Sequence, residues 1–133
     1  MILPNELLIR LTVVVLFLAV FLEASLGKLT GGPVPDWFAD KFRPTLLGRI
    51  PAPLLWWPIA LAELAVVVLF VAAGGAAIMG HAMEDALFSL AFMTATLVYA
   101  ALLFGLRISQ DYVGAASAFL FGAATLALWV SIV

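Results

Sequence analysis

Few side chains in this sequence could do chemistry, and the most informative one stands alone among apolar neighbours. Glu63 is the only charged residue between Leu54 and Met79. In a bilayer core an ionisable side chain costs about 2.5–3.5 kcal/mol on insertion scales. A carboxyl kept in such a run needs a partner, a proton or a function. One reading is a protonated, structural carboxyl bonded to a backbone carbonyl or to the hydroxyl of Thr94 or Thr96, because burial disfavours charge. The other is a carboxylate that handles protons or contacts a ligand in a polar cavity.

Four further groups fall at a similar level of the membrane. At about 1.5 Å per helical residue, Glu63 lies roughly 13 Å below the start of its span. Glu23 lies about 5–6 Å from the end of the first span, and Lys28, Arg107 and Asp111 sit at or near the same face. These residues are the pairing and binding candidates. Glu23 is expected to snorkel or to pair with Lys28 or Arg107, and the two cations read as interfacial anchors. Arg10 belongs near the opposite face, too far from Glu23 to pair with it.

Other chemistry has little material. The chain has no cysteine and one histidine, which excludes disulfides and thiolate metal ligation and argues against haem or zinc held by this chain alone. His81, Glu84 and Asp85 share a short turn, but their spacing matches no metal motif, and a solvated turn is expected. No basic patch interleaved with aromatics suggests nucleic-acid binding. Gly114, Ala118 and Gly122, with Ser117 beside them, recur at four-residue spacing. Small residues so placed allow close helix packing, either within the bundle or against a partner subunit.

The elements that position these groups follow from composition. Of 133 residues, 66% are hydrophobic and 11% charged, against about 25% charged in soluble domains. Leu11–Leu22, Ala86–Leu106 and Val113–Val133 carry no charge, and about 20 mainly apolar residues span a bilayer. The expectation is an all-α, polytopic membrane protein: a single domain of four transmembrane helices over about 7–26, 54–76, 86–106 and 111–132. Gly27 is expected to end the first span, and Gly74-Gly75 to weaken the end of the second. Residues 1–28 do not read as a cleaved signal, because the start is not positively charged and no small-x-small site follows the apolar run.

The loop over 28–53 carries Trp37, Phe38 and Phe42 among charged residues, and Trp56-Trp57 follow it. Such aromatics suit the headgroup layer; the alternative is a plain connection packed on the bundle. Lys28, Lys41, Arg43, Arg49 and Arg107 lie on the loop side, with Arg10 alone on the side of the termini. The positive-inside rule then places the loop in the cytoplasm and both termini outside.

Ala24-Ser-Leu-Gly-Lys28-Leu29 at the end of the first span resembles the small-Gly-x-x-Lys-Leu pattern of the DoxX-like family. Arg10 stands near that family's early arginine, and Ala60-Leu-Ala-Glu63 near its second-helix glutamate. Ser25 departs from the expected glycine, and Val66-Val67 from the small pair that often follows the glutamate. The resemblance implies a four-helix fold and a loose association with membrane redox chemistry; the expected location is a bacterial inner membrane. A chain with no cysteine, one histidine and almost no extramembrane mass has little on which to build an active site. The expected function is a non-catalytic accessory subunit of a larger membrane assembly, an electron-transfer complex of respiratory or photosynthetic type. The alternative is a quinone-reactive subunit of thiosulfate:quinone oxidoreductase type, with Glu63 handling protons and Lys28 or Arg107 steering an anion. A small transporter is a third reading, disfavoured by the lack of internally repeated, broken spans. The expected partners are the lipid bilayer and other membrane subunits, with a quinone or lipid at a shared interface and no cofactor held by this chain alone.

Overall fold

The computed structural model describes residues 4–133, and among these every regular element is helical. Helix α1 spans Asn5–Thr30. A short helix α2, Asp36–Phe42, and a 3-10 turn, Leu46–Arg49, lie in the loop that follows. Then come α3, Ala52–Met79, α4, Glu84–Ile108, and α5, Tyr112–Ile132. The four long helices are each apolar and long enough to cross a membrane, and they form a four-helix bundle.

The first three spanning helices run past the expected ends. Gly27 and Gly74-Gly75 are all inside helices. A helical glycine costs about 1 kcal/mol relative to alanine, whereas a broken backbone in hydrocarbon leaves polar groups with no water to bond. Continuity therefore wins. Helix α1 ends instead at Gly31-Gly32, where Gly32 takes φ 84°. At the end of α3, Gly80 adopts the left-handed φ of 63° and lets the His81 N–H donate to the Ala76 carbonyl at 2.9 Å. Gln110 does the same work after α4 with φ 61°, and the Asp111 N–H donates to the Leu106 carbonyl at 2.9 Å. Both connections close tightly enough to make α3, α4 and α5 successive antiparallel neighbours.

Packing runs α1 on α3, α3 on α4, and α4 on α5. The centre is aromatic. Phe17 of α1 stacks on Phe70 of α3 at 4.5 Å, and Phe92 of α4 meets both rings edge-on at 5.7 and 5.3 Å. Gly74 is buried against α1, and a Cβ there would make an ordinary contact with Val14 at 3.4 Å. Trp129 of α5 donates to the Ser89 hydroxyl of α4 at 3.3 Å. Outward-facing Leu16, Val20, Val71, Leu97 and Leu120 are all exposed, as expected of a protein whose outer surface meets lipid.

Candidate functional site

Glu63 points inward from α3 and is buried, its side chain 3% exposed. The Lys28 ammonium of α1 donates to its Oε1 at 2.8 Å. The aromatic register explains the meeting. With Phe17 level with Phe70, Lys28 lies eleven residues above that plane and Glu63 seven below it in number, so their Cα atoms differ in depth by about 6 Å. A lysine stem covers that difference. The Glu63 Oε2 has no hydrogen-bond partner among the described residues.

The expected threonine partners do not reach this carboxyl. The hydroxyls of Thr94 and Thr96 donate back to the Leu90 and Phe92 carbonyls of their own helix, each at 2.8 Å. Glu23 takes neither expected cation, because Lys28 is committed to Glu63; it stands exposed on the outer face of α1. Arg107 is likewise exposed, its guanidinium 4.9 Å from the centre of the Tyr112 ring.

The loop builds a roof over this end. Pro35 starts α2, which lays Phe38 and Phe42 against Trp56 at the start of α3; Phe38 lies 4.8 Å from Trp56 and 5.1 Å from Phe42. Trp37 stays exposed but touches the Trp56 ring edge-on at 5.9 Å, and Trp57 is half-buried beside the cluster. The aromatics thus pack on the bundle, with Trp37 left at the surface. The Lys28 ammonium also lies 5.3 Å from the Trp56 ring centre, a cation–π contact that joins roof to ion pair. The Trp56 indole N–H has no partner among the described residues.

Lys41 of α2 donates to Asp111 Oδ2 at 2.9 Å, a contact not foreseen from the spacing. Asp111 Oδ1 accepts from the Gly114 N–H at 3.0 Å and so caps α5. The Lys41 hydrogen bond, and after it the Gly114 N–H, hold the Asp111 carboxyl below the usual carboxylate range.

Beneath the roof lies a cavity of about 400 Å³ between α2, α3 and α4. Lys28, Lys41, Trp37, Phe38 and Trp56 line it, and Gly105 gives room on the α4 side. Its wall is almost entirely apolar apart from the two ammonium groups. Each lysine already faces one carboxylate and keeps donors to spare. Such a space suits a flat or chain-like apolar molecule with an acceptor atom at one end.

The small-residue series on α5 divides by role. Ala118 is buried, and a side chain at Gly122 would meet Tyr99 of α4 at 3.3 Å. These two serve contact with α4. Gly114 instead accommodates the Asp111 cap, whose carboxylate lies 2.9 Å from where its Cβ would be.

A second charged cluster occupies the opposite end. Arg10 of α1 donates to Glu84 and Asp85 of α4 at 2.5 and 2.9 Å, and to the Ile132 carbonyl at the end of α5 at 2.9 Å. Its guanidinium lies 5.3 Å from the Phe88 ring centre. The sequence placed Arg10 on this side with both acids, yet the pairing itself was missed. His81 stays exposed, and its Nδ1 accepts from the Met83 N–H at 3.0 Å. Among the described residues, no group of three His, Asp or Glu side chains is arranged to hold a metal.

Comparison with models of known protein families, with curated proteins and with solved structures found no match.

Proposed function

We propose that this protein is an integral membrane subunit of a larger membrane assembly, docked through the outer face of α1. One observation carries the reading. Glu23 is exposed on that face, about 7.5 Å deeper than Lys28 along the helix, with no ion pair or hydrogen bond among the described residues. A carboxyl facing hydrocarbon is costly, and a neighbouring protein offering a donor relieves that cost. Around it Thr12, Leu16, Ala19, Val20 and Gly27 make one exposed stripe of small and apolar residues, the composition that lets another helix approach. The electron-transfer character of the assembly rests on the DoxX-like resemblance at Lys28 and Glu63. A photo-crosslinking residue at Val20, activated in native membranes, should capture a protein neighbour. Crosslinks to lipid alone would defeat the proposal.

A quinone-reactive role is the second reading, favoured by the 400 Å³ apolar cavity with Lys28 in its wall. Lys28 would bind a quinone oxygen and Glu63 would relay a proton to or from it through the same ammonium, while the electrons would come from a redox subunit of the assembly. Glu63→Gln keeps the side-chain shape and removes the acid. The expected result is a loss of quinone reduction in native membranes by about a hundredfold, the size of a lost general acid–base step. Unchanged quinone reduction would rule the role out.

A further inference from the structure

We infer that the neighbour on α1 is a second copy of this chain, and that Glu23 of one copy meets Arg107 of the next. The inference rests on the reading that protein covers the outer face of α1, and it names that protein. The loop-side half of the four spanning helices holds four charged side chains: Glu23, Lys28, Glu63 and Arg107. Lys28 and Glu63 satisfy each other within the chain. Glu23 and Arg107 are left, of opposite sign, both exposed and neither ion-paired among the described residues.

Arg107 does not point into empty surroundings. With Leu103, Tyr112, Ala115, Ala116 and Phe119 it lines an open groove of about 280 Å³ between α4 and α5. Alanines floor the groove, so a helix can approach its backbone closely. Ala19 and Gly27 bracket Glu23 by four residues on either side, and nothing lies within 4 Å of the position a Gly27 side chain would take. Small residues therefore stand on both surfaces.

The depths agree. Phe21 of α1 packs on Tyr99 of α4 at 5.4 Å, which sets the two helices level at that point. Glu23 lies about 3 Å towards the loop face from there, and Arg107 about 12 Å. The groove descends from Tyr112 to Phe119, about 10.5 Å along α5, and so spans the difference. The Arg107 guanidinium rests beside Tyr112 at the head of the groove, and the lean of α4 side chains towards its N-terminus gives the long stem a path down it towards the level of Glu23. In one membrane orientation, α1 of one copy and α4 of the next then run parallel.

Glu23 and Arg107 belong to different surfaces, so the contact is head-to-tail. Such contacts build a closed ring or an open row and not a two-fold dimer. Each pairing removes two charges from lipid contact at once.

The absence of native cysteine makes the test direct. Val20→Cys and Phe119→Cys are introduced into separately tagged copies, co-expressed and oxidised in native membranes. The expected product is a disulfide between the two tags, and the chain carrying both substitutions should give a ladder of oligomers. Glu23→Arg alone, or Arg107→Glu alone, should cut the cross-linking yield by about tenfold, the worth of a polar contact between membrane helices. The combined exchange, Glu23→Arg with Arg107→Glu, should restore it. Failure of the exchange to restore cross-linking while each variant still elutes as folded protein overturns the inference. A Val20→Cys adduct with a different protein, and none with Phe119→Cys, also overturns it but leaves the subunit reading standing. No protein adduct from either position, or from the photo-crosslinker, overturns both.

Discussion

Helix α1 carries one cation towards each membrane face, and the two are anchored in opposite styles. Arg10 and Lys28 are eighteen residues apart, about 27 Å along the helix, close to the roughly 30 Å of a hydrocarbon core. Arg10 forks to Glu84, Asp85 and the last turn of α5, and Asp85 is 69% exposed. Among the described residues Lys28 makes one ion pair, to a carboxyl that is 3% exposed and has its other oxygen unbonded. The Arg10 end is redundant and its acids are partly exposed; the Lys28 end is single and its carboxyl is buried. A clamp that ties three helices can lose a bond to water, whereas a lone buried pair has no substitute. Beside the buried pair lies the largest cavity described above. Polar groups held at a cost next to an open space are a feature of binding sites, while a redundant surface clamp is a feature of assembly.

That contrast predicts a ranking of losses. Lys28→Met strands the Glu63 carboxyl in the core and should destabilise the protein by about 3–5 kcal/mol, as for other broken buried pairs. Unfolding in detergent micelles reads the loss. Adding Glu63→Leu should recover most of it, because removing both charges leaves nothing unpaired. If the double variant stays as unstable as the single one, the damage comes from packing and not from charge.

Arg10→Ala breaks more bonds yet should cost less, about 1.5–3 kcal/mol by the worth of charged hydrogen bonds, because water reaches the freed acids. The same unfolding measurement decides the order. An Arg10→Ala loss larger than that of Lys28→Met would invert the comparison.

The smallest effect is expected at Asp111, which sits at the Lys28 end but outside the spanning helices. Asp111→Ala should fray the first turn of α5, seen as faster amide exchange at Gly114, with the rest of the bundle unchanged. Its carboxyl is held below the ordinary range by Lys41 and the Gly114 N–H. Its contribution is therefore complete above about pH 4, the unfolded value, and disappears as pH falls through the lower folded value. Lys41→Met should move that loss to higher pH. An unmoved acid transition would mean that the Gly114 cap alone sets it.

Much of the bundle was legible because charge and hydropathy alone decide which segments can enter a bilayer. The helix ends were read too short at Gly27 and Gly74. Glycine signals are calibrated on water, where a broken helix is solvated, and they weaken where no water reaches the backbone. The level of Glu63, Lys28 and Glu23 was also readable from residue counts. Their partners were not, because counting gives depth along a helix and not the direction a side chain faces. Lys28 could have reached Glu23 on its own helix or Glu63 on the next, and the packing of α1 on α3 chose Glu63. The Thr94 and Thr96 proposal failed for the same reason, with a local carbonyl four residues back as the nearer acceptor.

By itself, then, the sequence determined that this chain has four segments long and apolar enough to cross a membrane and that its few charges gather near two levels. Transfer of each residue from water to hydrocarbon is a local quantity, summed along the chain. Only the tertiary structure decided that Lys28 neutralises Glu63, that Arg10 ties the far ends together, that Trp56 roofs a cavity, and that Glu23 faces outward. Those outcomes depend on helix rotation, which is set by how Phe17, Phe70 and Phe92 interlock, and no single segment contains that information.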